Sequence, residues 1–149
     1  MLTFLLAASL VTAPDSTPRS ILRADLAPSL DGRVTEPMWA AATLVDDFVQ
    51  RTPRDGEPPS ARTEVLLLHT SSALYIGVRA YLARPDRLTA TVMRRDDDAI
   101  VENDQFAVAI DSYNDGRNGF WFSTNPLGVR VDYQFVDEGR QWIDWDGDW

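Results

Sequence analysis

Hydrophobic and polar residues alternate with a period of two along much of the chain, a pattern that places successive side chains on opposite faces of a β-strand. Residues 74–81, 105–111, 120–125 and 129–135 show this alternation. Residues 63–69 form an apolar run typical of a strand buried on both faces, and residues 21–26 and 88–94 are further candidates. Short strands with closely spaced turns predict an all-β protein, an antiparallel β-sandwich of the jelly-roll or immunoglobulin-like kind.

One short helix is expected before these strands. Thr35 is placed to cap it, Glu36 and Pro37 fall in its first turn, and Met38 and Trp39 supply apolar contacts. Residues 51–60 are rich in proline, glycine and charge, which indicates a loop.

The amino-terminal residues have the features of a targeting segment. Residues 2–13 form an apolar run too short to span a bilayer as a helix, and the run ends in Val11-Thr12-Ala13, a small-residue cleavage pattern. We expect a secretory signal peptide over residues 1–13 and a linker rich in Pro, Ser and Thr over residues 14–20. The alternative is a frayed amino-terminal strand.

Composition and charge exclude several classes of function. The net charge of -9, from 14 basic and 23 acidic residues, repels phosphate backbones, so nucleic acid is not an expected partner. Because the chain has no cysteine, disulfides and thiolate chemistry are excluded. Clustered carboxylates do not by themselves provide the defined separation that glycoside hydrolysis requires. We therefore expect this chain not to be an enzyme.

The polar faces of the later strands are the candidate ligand surface. We predict that Phe106, Val108, Ile110, Phe120, Phe122, Val129 and Val131 share the core face. The opposite face then carries Gln105, Trp121, Ser123, Asn125, Arg130, Asp132 and Gln134. Sugars bind such surfaces because their C–H faces stack on rings while their hydroxyls need donors and acceptors. The alternative is a solvated face, or one covered by another strand or domain.

Two further groups of residues have candidate roles. Asp111, Asn114 and Asp115 surround Gly116 in a turn and offer the hard oxygens that calcium prefers; the alternative is a solvated turn. The carboxy-terminal Trp-Asp string contains the acids Asp144, Asp146 and Asp148, a second candidate for calcium, and the indoles Trp142, Trp145 and Trp149. These indoles form either a second platform for a sugar or a surface that packs on other strands.

The order of several segments resembles the carbohydrate-binding module family 9-like domain over residues 21–149. The residues that carry the resemblance are Leu30-Asp31-Gly32-Arg33, Glu36-Pro37-Met38-Trp39, Ala73-Leu74-Tyr75-Ile76-Gly77-Val78, Asp104-Gln105-Phe106-Ala107-Val108-Ala109-Ile110-Asp111 and residues 122–128. Other segments are similar to the variety found at the amino terminus of bacterial envelope proteins: residues 48–51, 53–58, 94–98 and 142–149. In that variety more strands follow, so we expect the module to be incomplete at its carboxyl end.

The resemblance implies a β-sandwich and, in sugar-binding members, saccharide recognition between aromatic rings with bound calcium. At three contact positions of those members this chain has Ile100-Val101, Ala107 and Ser123 instead. The expected function is a non-catalytic carbohydrate-binding-like module that takes an oligo- or polysaccharide. Its expected location is secreted, periplasmic or outer-membrane-associated, and a fused glycoside hydrolase would supply any carbohydrate catabolism. The alternative is a structural or interaction domain that docks on a following outer-membrane β-barrel region.

Overall fold

The computed structural model describes residues 18–137 and 145–149, together with the backbone of residues 140–142. The predicted signal peptide and residues 14–17 of the predicted linker lie outside the described residues. The described part of the chain is all-β, with eight strands in two four-stranded sheets and three short 3-10 helices. It divides into two compact units, with the boundary between Ala83 and Arg84.

The first unit is built around one central strand. Its strands are β1 (Leu22–Arg23), β2 (Thr43–Val45), β3 (Thr63–His69) and β4 (Leu74–Ala80). Strand β3 pairs with all three others, parallel to β1 and antiparallel to β2 and β4. The apolar run over β3 was predicted with these bounds. Strand β2 was missed, because three residues are too few to show an alternation.

A tryptophan from the first 3-10 helix, Pro37–Ala41, completes the core of this unit. Trp39 is 6% exposed and clusters with Leu66 and Leu68 of β3. Its ring also lies against Gly77 of β4, where an added Cβ would come within 3.0 Å of the indole and 2.6 Å of Val34. Glycine at position 77 therefore makes the room that the indole occupies.

The predicted cap of this helix is wrong. The helix is a five-residue 3-10 helix whose N-cap is Glu36, not Thr35, and no side chain caps it. The Glu36 carboxylate accepts hydrogen bonds from the Ser29 backbone N–H at 2.9 Å and from Trp39 Nε1 at 3.1 Å. These bonds tie the turn before the helix to the core indole.

Acid is expected to weaken the first unit through Glu36. Hydrogen bonds from the backbone N–H groups of Glu36 and Ser29 outweigh desolvation and, with the Trp39 indole, lower the pKa of this carboxyl below 4.5. A lowered folded-state pKa gives stability that is complete above the unfolded-state value and is lost as pH falls through the folded one. Between pH 5 and about pH 3, chemical denaturation should show a steeper loss of stability in the wild type than in Glu36→Gln. If stability falls equally with pH in the wild type and in Glu36→Gln, the hydrogen bonds assigned to the Glu36 carboxylate would be contradicted.

The second unit contains the other sheet. Its strands are β5 (Phe106–Ile110), β6 (Gly119–Thr124), β7 (Arg130–Val136) and β8 (Arg140–Trp142), which pair antiparallel in chain order. Strands β5 to β7 lie where the alternation predicted them.

The candidate strand over residues 88–94 is wrong, because this segment has no strand pairing in the described structure. The backbone N–H groups of Thr91 and Val92 instead donate to Asn103 Oδ1 at 2.9 and 3.0 Å. A side-chain amide thus takes the place of a neighbouring strand.

The register of β5, β6 and β7 decides which side chains share a face. Phe122 lies opposite Val108 on one side and Asp132 on the other, and Trp121 lies opposite Ala109 and Tyr133. Even-numbered positions of these strands therefore form one face, which we call the even face, and odd-numbered positions form the odd face.

The predicted composition of the two faces is wrong for β7. Val131 lies on the odd face with Trp121, whereas Arg130, Asp132 and Gln134 lie on the even face with Phe120 and Phe122. Five residues, 125–129, separate the paired Thr124 and Arg130. A shift of one residue in register exchanges the faces of a whole strand.

Candidate functional site

The odd face carries a pair of parallel aromatic rings. Trp121 and Tyr133 lie opposite each other on β6 and β7, with ring centroids 5.8 Å apart and ring planes inclined by 10°. Both side chains are half-buried. On the other side of Trp121, β5 presents only Ala109 and Ala107. These two residues place only methyl groups beside the indole.

Hydrogen-bonding groups stand at one end of this aromatic pair. Ser123 is buried, and its Oγ donates to Gln105 Oε1 at 2.5 Å. This bond orients the carboxamide of Gln105, which is itself exposed. The odd face thus combines parallel rings, two alanines and an oriented amide. A flat ligand with an apolar face and polar edges can stack there and exchange hydrogen bonds.

The even face is covered by residues 145–149, which we call the strap. The Trp145 ring lies 4.6 Å from Phe120 and 5.9 Å from Phe122, measured between centroids. The Trp149 ring lies 5.2 Å from Phe122 in an edge-to-face arrangement. Arg130 stands over the Trp149 ring at 5.7 Å. The indoles of the strap therefore bury the phenylalanines of β6.

A buried carboxylate fastens the strap. The Asp132 side chain is 0% exposed. Its Oδ1 accepts from Arg95 Nη2 at 2.7 Å and from Trp149 Nε1 at 3.0 Å, and its Oδ2 accepts from the Gly147 backbone N–H at 2.7 Å. Arg95 also donates to the Gly147 carbonyl at 3.1 Å and forms an ion pair with Asp146. A buried charge is stable only when it is paired and hydrogen-bonded in this way.

The surrounding carboxylates also act on Arg95. Although partial desolvation opposes it, the negative charges of Asp132 and Asp146 and the interaction with Asp96 raise the pKa of the Arg95 guanidinium above its ordinary value. Arg95 therefore stays charged.

The predicted ligand residues fall into separate places. Trp121 lies on the odd face, and Gln105 accepts a hydrogen bond from Ser123 of the same face. Arg130 and Trp145 belong to the even face and its strap. Trp142 lies in β8 opposite Gln134 by backbone register. The set is therefore not one site, because the two faces of a sheet point in opposite directions.

Asn125 is committed to the structure of its loop. It is 5% exposed, and its Oδ1 accepts from the N–H groups of Leu127 and Val129 at 3.0 and 3.1 Å. Its Nδ2 donates to the Val92 carbonyl at 2.9 Å and to Asn103 Oδ1 at 3.2 Å. These bonds hold the β6–β7 loop, and hence the register that defines the two faces.

The candidate calcium loop is organised by its own hydrogen bonds. Asp111 accepts from the backbone N–H groups of Tyr113, Asp115 and Gly116 at 2.8–3.4 Å. Asp115 accepts from the Asn118 side chain at 2.7 Å and from the N–H groups of Asn118 and Arg117, and these bonds lower its pKa. Asn114 has a φ of 53°. Calcium binding by Asp111, Asn114 and Asp115 stays a prediction.

No group of three or more histidine, cysteine, aspartate or glutamate side chains able to hold a metal occurs within the described ranges. The second acidic candidate, the string around Asp144, Asp146 and Asp148, is only partly described, since Asp144 lies outside these ranges.

Two residues of these arrangements, Arg95 and Tyr133, were missed; Asp132 and Trp149 were named as candidates, but their contacts with each other were not predicted. Tyr133 was placed in the core pattern of β7, and only the register brings it to Trp121. Arg95, Asp132 and Trp149 form the strap contacts across long sequence separations. Asp132 stands at a polar position of the alternation in β7, between Arg130 and Gln134, so the sequence pattern carries no signal for its burial.

Comparison with known proteins finds no match among family models, curated proteins or solved structures. None of the helices in the described ranges has the length and hydrophobicity needed to cross a membrane.

Proposed function

We propose that this chain is a non-catalytic carbohydrate-binding-like module, similar to family 9-like modules, and that it binds an oligo- or polysaccharide on its odd face. The observation that carries the proposal is the parallel Trp121–Tyr133 pair beside Ala107 and Ala109. The proposal includes a sandwich arrangement of the two sheets and a secreted or envelope location, both of which rest on the sequence pattern and the resemblance.

The chemistry of the odd face supports a neutral sugar. Pyranose rings present C–H groups on one face, which stack on an indole, and hydroxyls at their edges, which require donors and acceptors. Trp121 supplies the ring and Gln105 the carboxamide, oriented by Ser123. The side chains of Ala107, Ala109, Trp121, Ser123 and Tyr133 carry no formal charge on this part of the face.

The contacts of Trp121 and Trp145, two of the indoles predicted to bind a sugar, support different roles for them. Trp121 is half-buried on the odd face, whereas Trp145 packs against Phe120 and Phe122. Only Trp121 is therefore proposed to touch the sugar, and Trp145 is proposed to stabilise the unit.

The matched variants Trp121→Ala and Trp145→Ala test this division. In affinity electrophoresis against a panel of soluble polysaccharides, Trp121→Ala should lose about five- to twelvefold in affinity, since one ring–sugar stacking contact contributes on the order of 1–1.5 kcal/mol. Trp145→Ala should keep its sugar affinity under conditions where it remains folded, and its midpoint of chemical unfolding should fall.

Gln105→Ala provides a second, milder probe, because it removes the oriented amide and leaves the rings in place. Retention of full sugar affinity by Trp121→Ala, or absence of any glycan binding by the folded wild type, would overturn the proposal.

The alternative function, a structural or interaction domain, is favoured by apolar side chains left in solvent. Leu26, Leu30 and Val49 of the first unit are 73%, 88% and 64% exposed. A folded chain that binds no glycan and instead associates with a following β-barrel region would support this second candidate.

A further inference from the structure

The strap occupies a socket whose contacts are all of a kind that a separate peptide can make. The socket consists of the ring faces of Phe120 and Phe122, the buried Asp132 carboxylate, and the guanidinium groups of Arg95 and Arg130. It therefore offers apolar surface, one buried carboxylate paired with Arg95, and the guanidinium of Arg130.

The strap fills this socket through a short linear motif. Its first and last residues, Trp145 and Trp149, supply two indoles, and its middle residue Gly147 supplies a backbone N–H to Asp132 and a carbonyl to Arg95. Asp146 supplies a carboxylate to Arg95. Five consecutive residues thus supply four kinds of contact: indole rings, a backbone N–H, a backbone carbonyl and a carboxylate.

The glycine in the motif is required by the packing. A Cβ at position 147 would lie 2.5 Å from the Trp145 ring, which is itself held between Phe120 and the strap backbone. A side chain at position 147 would therefore have to displace the Trp145 ring from its contact with Phe120.

The strap is not part of the sheet. Residues 145–149 belong to no strand, and the described pairing of the sheet involves β5 to β8 alone. The strap is held by side-chain packing and by hydrogen bonds to three side chains, Asp132, Arg95 and Arg130. Replacing it by another segment breaks no backbone pairing of these strands.

We propose that this socket is a peptide-binding site for a linear segment with the chemistry aromatic–acid–glycine–any residue–tryptophan, and that the strap is its built-in occupant. The site lies on the even face and is independent of the sugar site proposed on the odd face. A ligand peptide competes with the strap, so its apparent affinity is reduced by the fraction of molecules in which the socket is open.

The probe is a fluorescein-labelled peptide, Trp-Asp-Gly-Asp-Trp, added to the full chain and followed by fluorescence anisotropy. Trp145→Ala/Trp149→Ala weakens the strap and should bind this peptide at least about tenfold more tightly than the wild type, because the socket is open in more molecules. The peptide Trp-Asp-Pro-Asp-Trp has the same charge but lacks the central N–H that Asp132 accepts. It should bind the double variant at least about tenfold more weakly.

Equal binding of the two peptides, or equal binding by the wild type and the double variant, would overturn the peptide site. Should the double variant not fold, the wild type with excess peptide provides the measurement: the Gly147 amide should exchange its hydrogen faster with the glycine peptide than with the proline peptide. Unchanged exchange would count against the proposal. Trp121→Ala should leave peptide binding unchanged, so failure of the sugar site and failure of the peptide site are distinguishable.

Discussion

Replacing Asp132 by alanine is expected to lower the free energy of unfolding of the second unit by about 3 kcal/mol. The carboxylate accepts three hydrogen bonds, two of them from the strap, and its side chain is 0% exposed. Without it, the N–H groups of Gly147 and Trp149 lose their buried acceptor. Arg95 is 34% exposed, so water can reach its charge and limits the loss to the lower end of the range for broken buried pairs.

Chemical denaturation followed by tryptophan fluorescence provides the measurement for Asp132→Ala. Asp148→Ala is the matched control, since it removes an exposed carboxylate from the same strap and should change stability by less than about 0.5 kcal/mol. If the two variants unfold at the same denaturant concentration, the strap is not fastened by Asp132.

The second large effect is expected from Trp39→Ala in the first unit, a loss of about 3–5 kcal/mol. The indole is buried against Leu66 and Leu68 and fills the space above Gly77. Its removal also leaves Glu36 without the Nε1 hydrogen bond. The unfolding midpoint by far-ultraviolet circular dichroism should therefore fall sharply.

Two controls accompany this prediction. Gly77→Ala should destabilise by about 1–3 kcal/mol, because the new methyl group collides with Val34 and the indole instead of leaving a cavity. Leu30→Ala, at an 88% exposed position, should change stability by less than about 0.5 kcal/mol. A Trp39→Ala variant as stable as Leu30→Ala would mean that the indole is not part of the core.

Local pattern was sufficient to predict the strands that have a clear period. Thr63–His69 and the segments around β4 to β7 were found because each is long enough for alternation or a continuous apolar run to stand out. The pattern failed over residues 88–94, where a single Asn103 side chain provides the hydrogen bonds that a neighbouring strand would have supplied. The hydrophobic pattern does not indicate where a side chain will replace a strand as the hydrogen-bond partner of the backbone.

The candidate site was only partly predictable for a related reason. Placing Trp121 and Gln105 on one face needs only the period of two within each strand and the pairing of neighbours. Bringing Tyr133 to Trp121, and Asp132 to the phenylalanines, depends on whether the β6–β7 loop contains an odd or an even number of residues. The Asn125 side chain holds the shape of this loop through hydrogen bonds that no alternation of polar and apolar residues predicts.

The sequence by itself determined the all-β class, most strand positions and the candidate residues Trp121 and Gln105, because these follow from interactions between neighbours along the chain. Tertiary structure alone decided which residues face each other and that the strap, residues 145–149, folds over the even face. Arg95 is central to the contacts that hold the strap. It is separated by 37 positions along the chain from Asp132 and by 51 positions from Asp146. Pairings over such separations depend on register and chain path, which no local alternation of polar and apolar residues specifies.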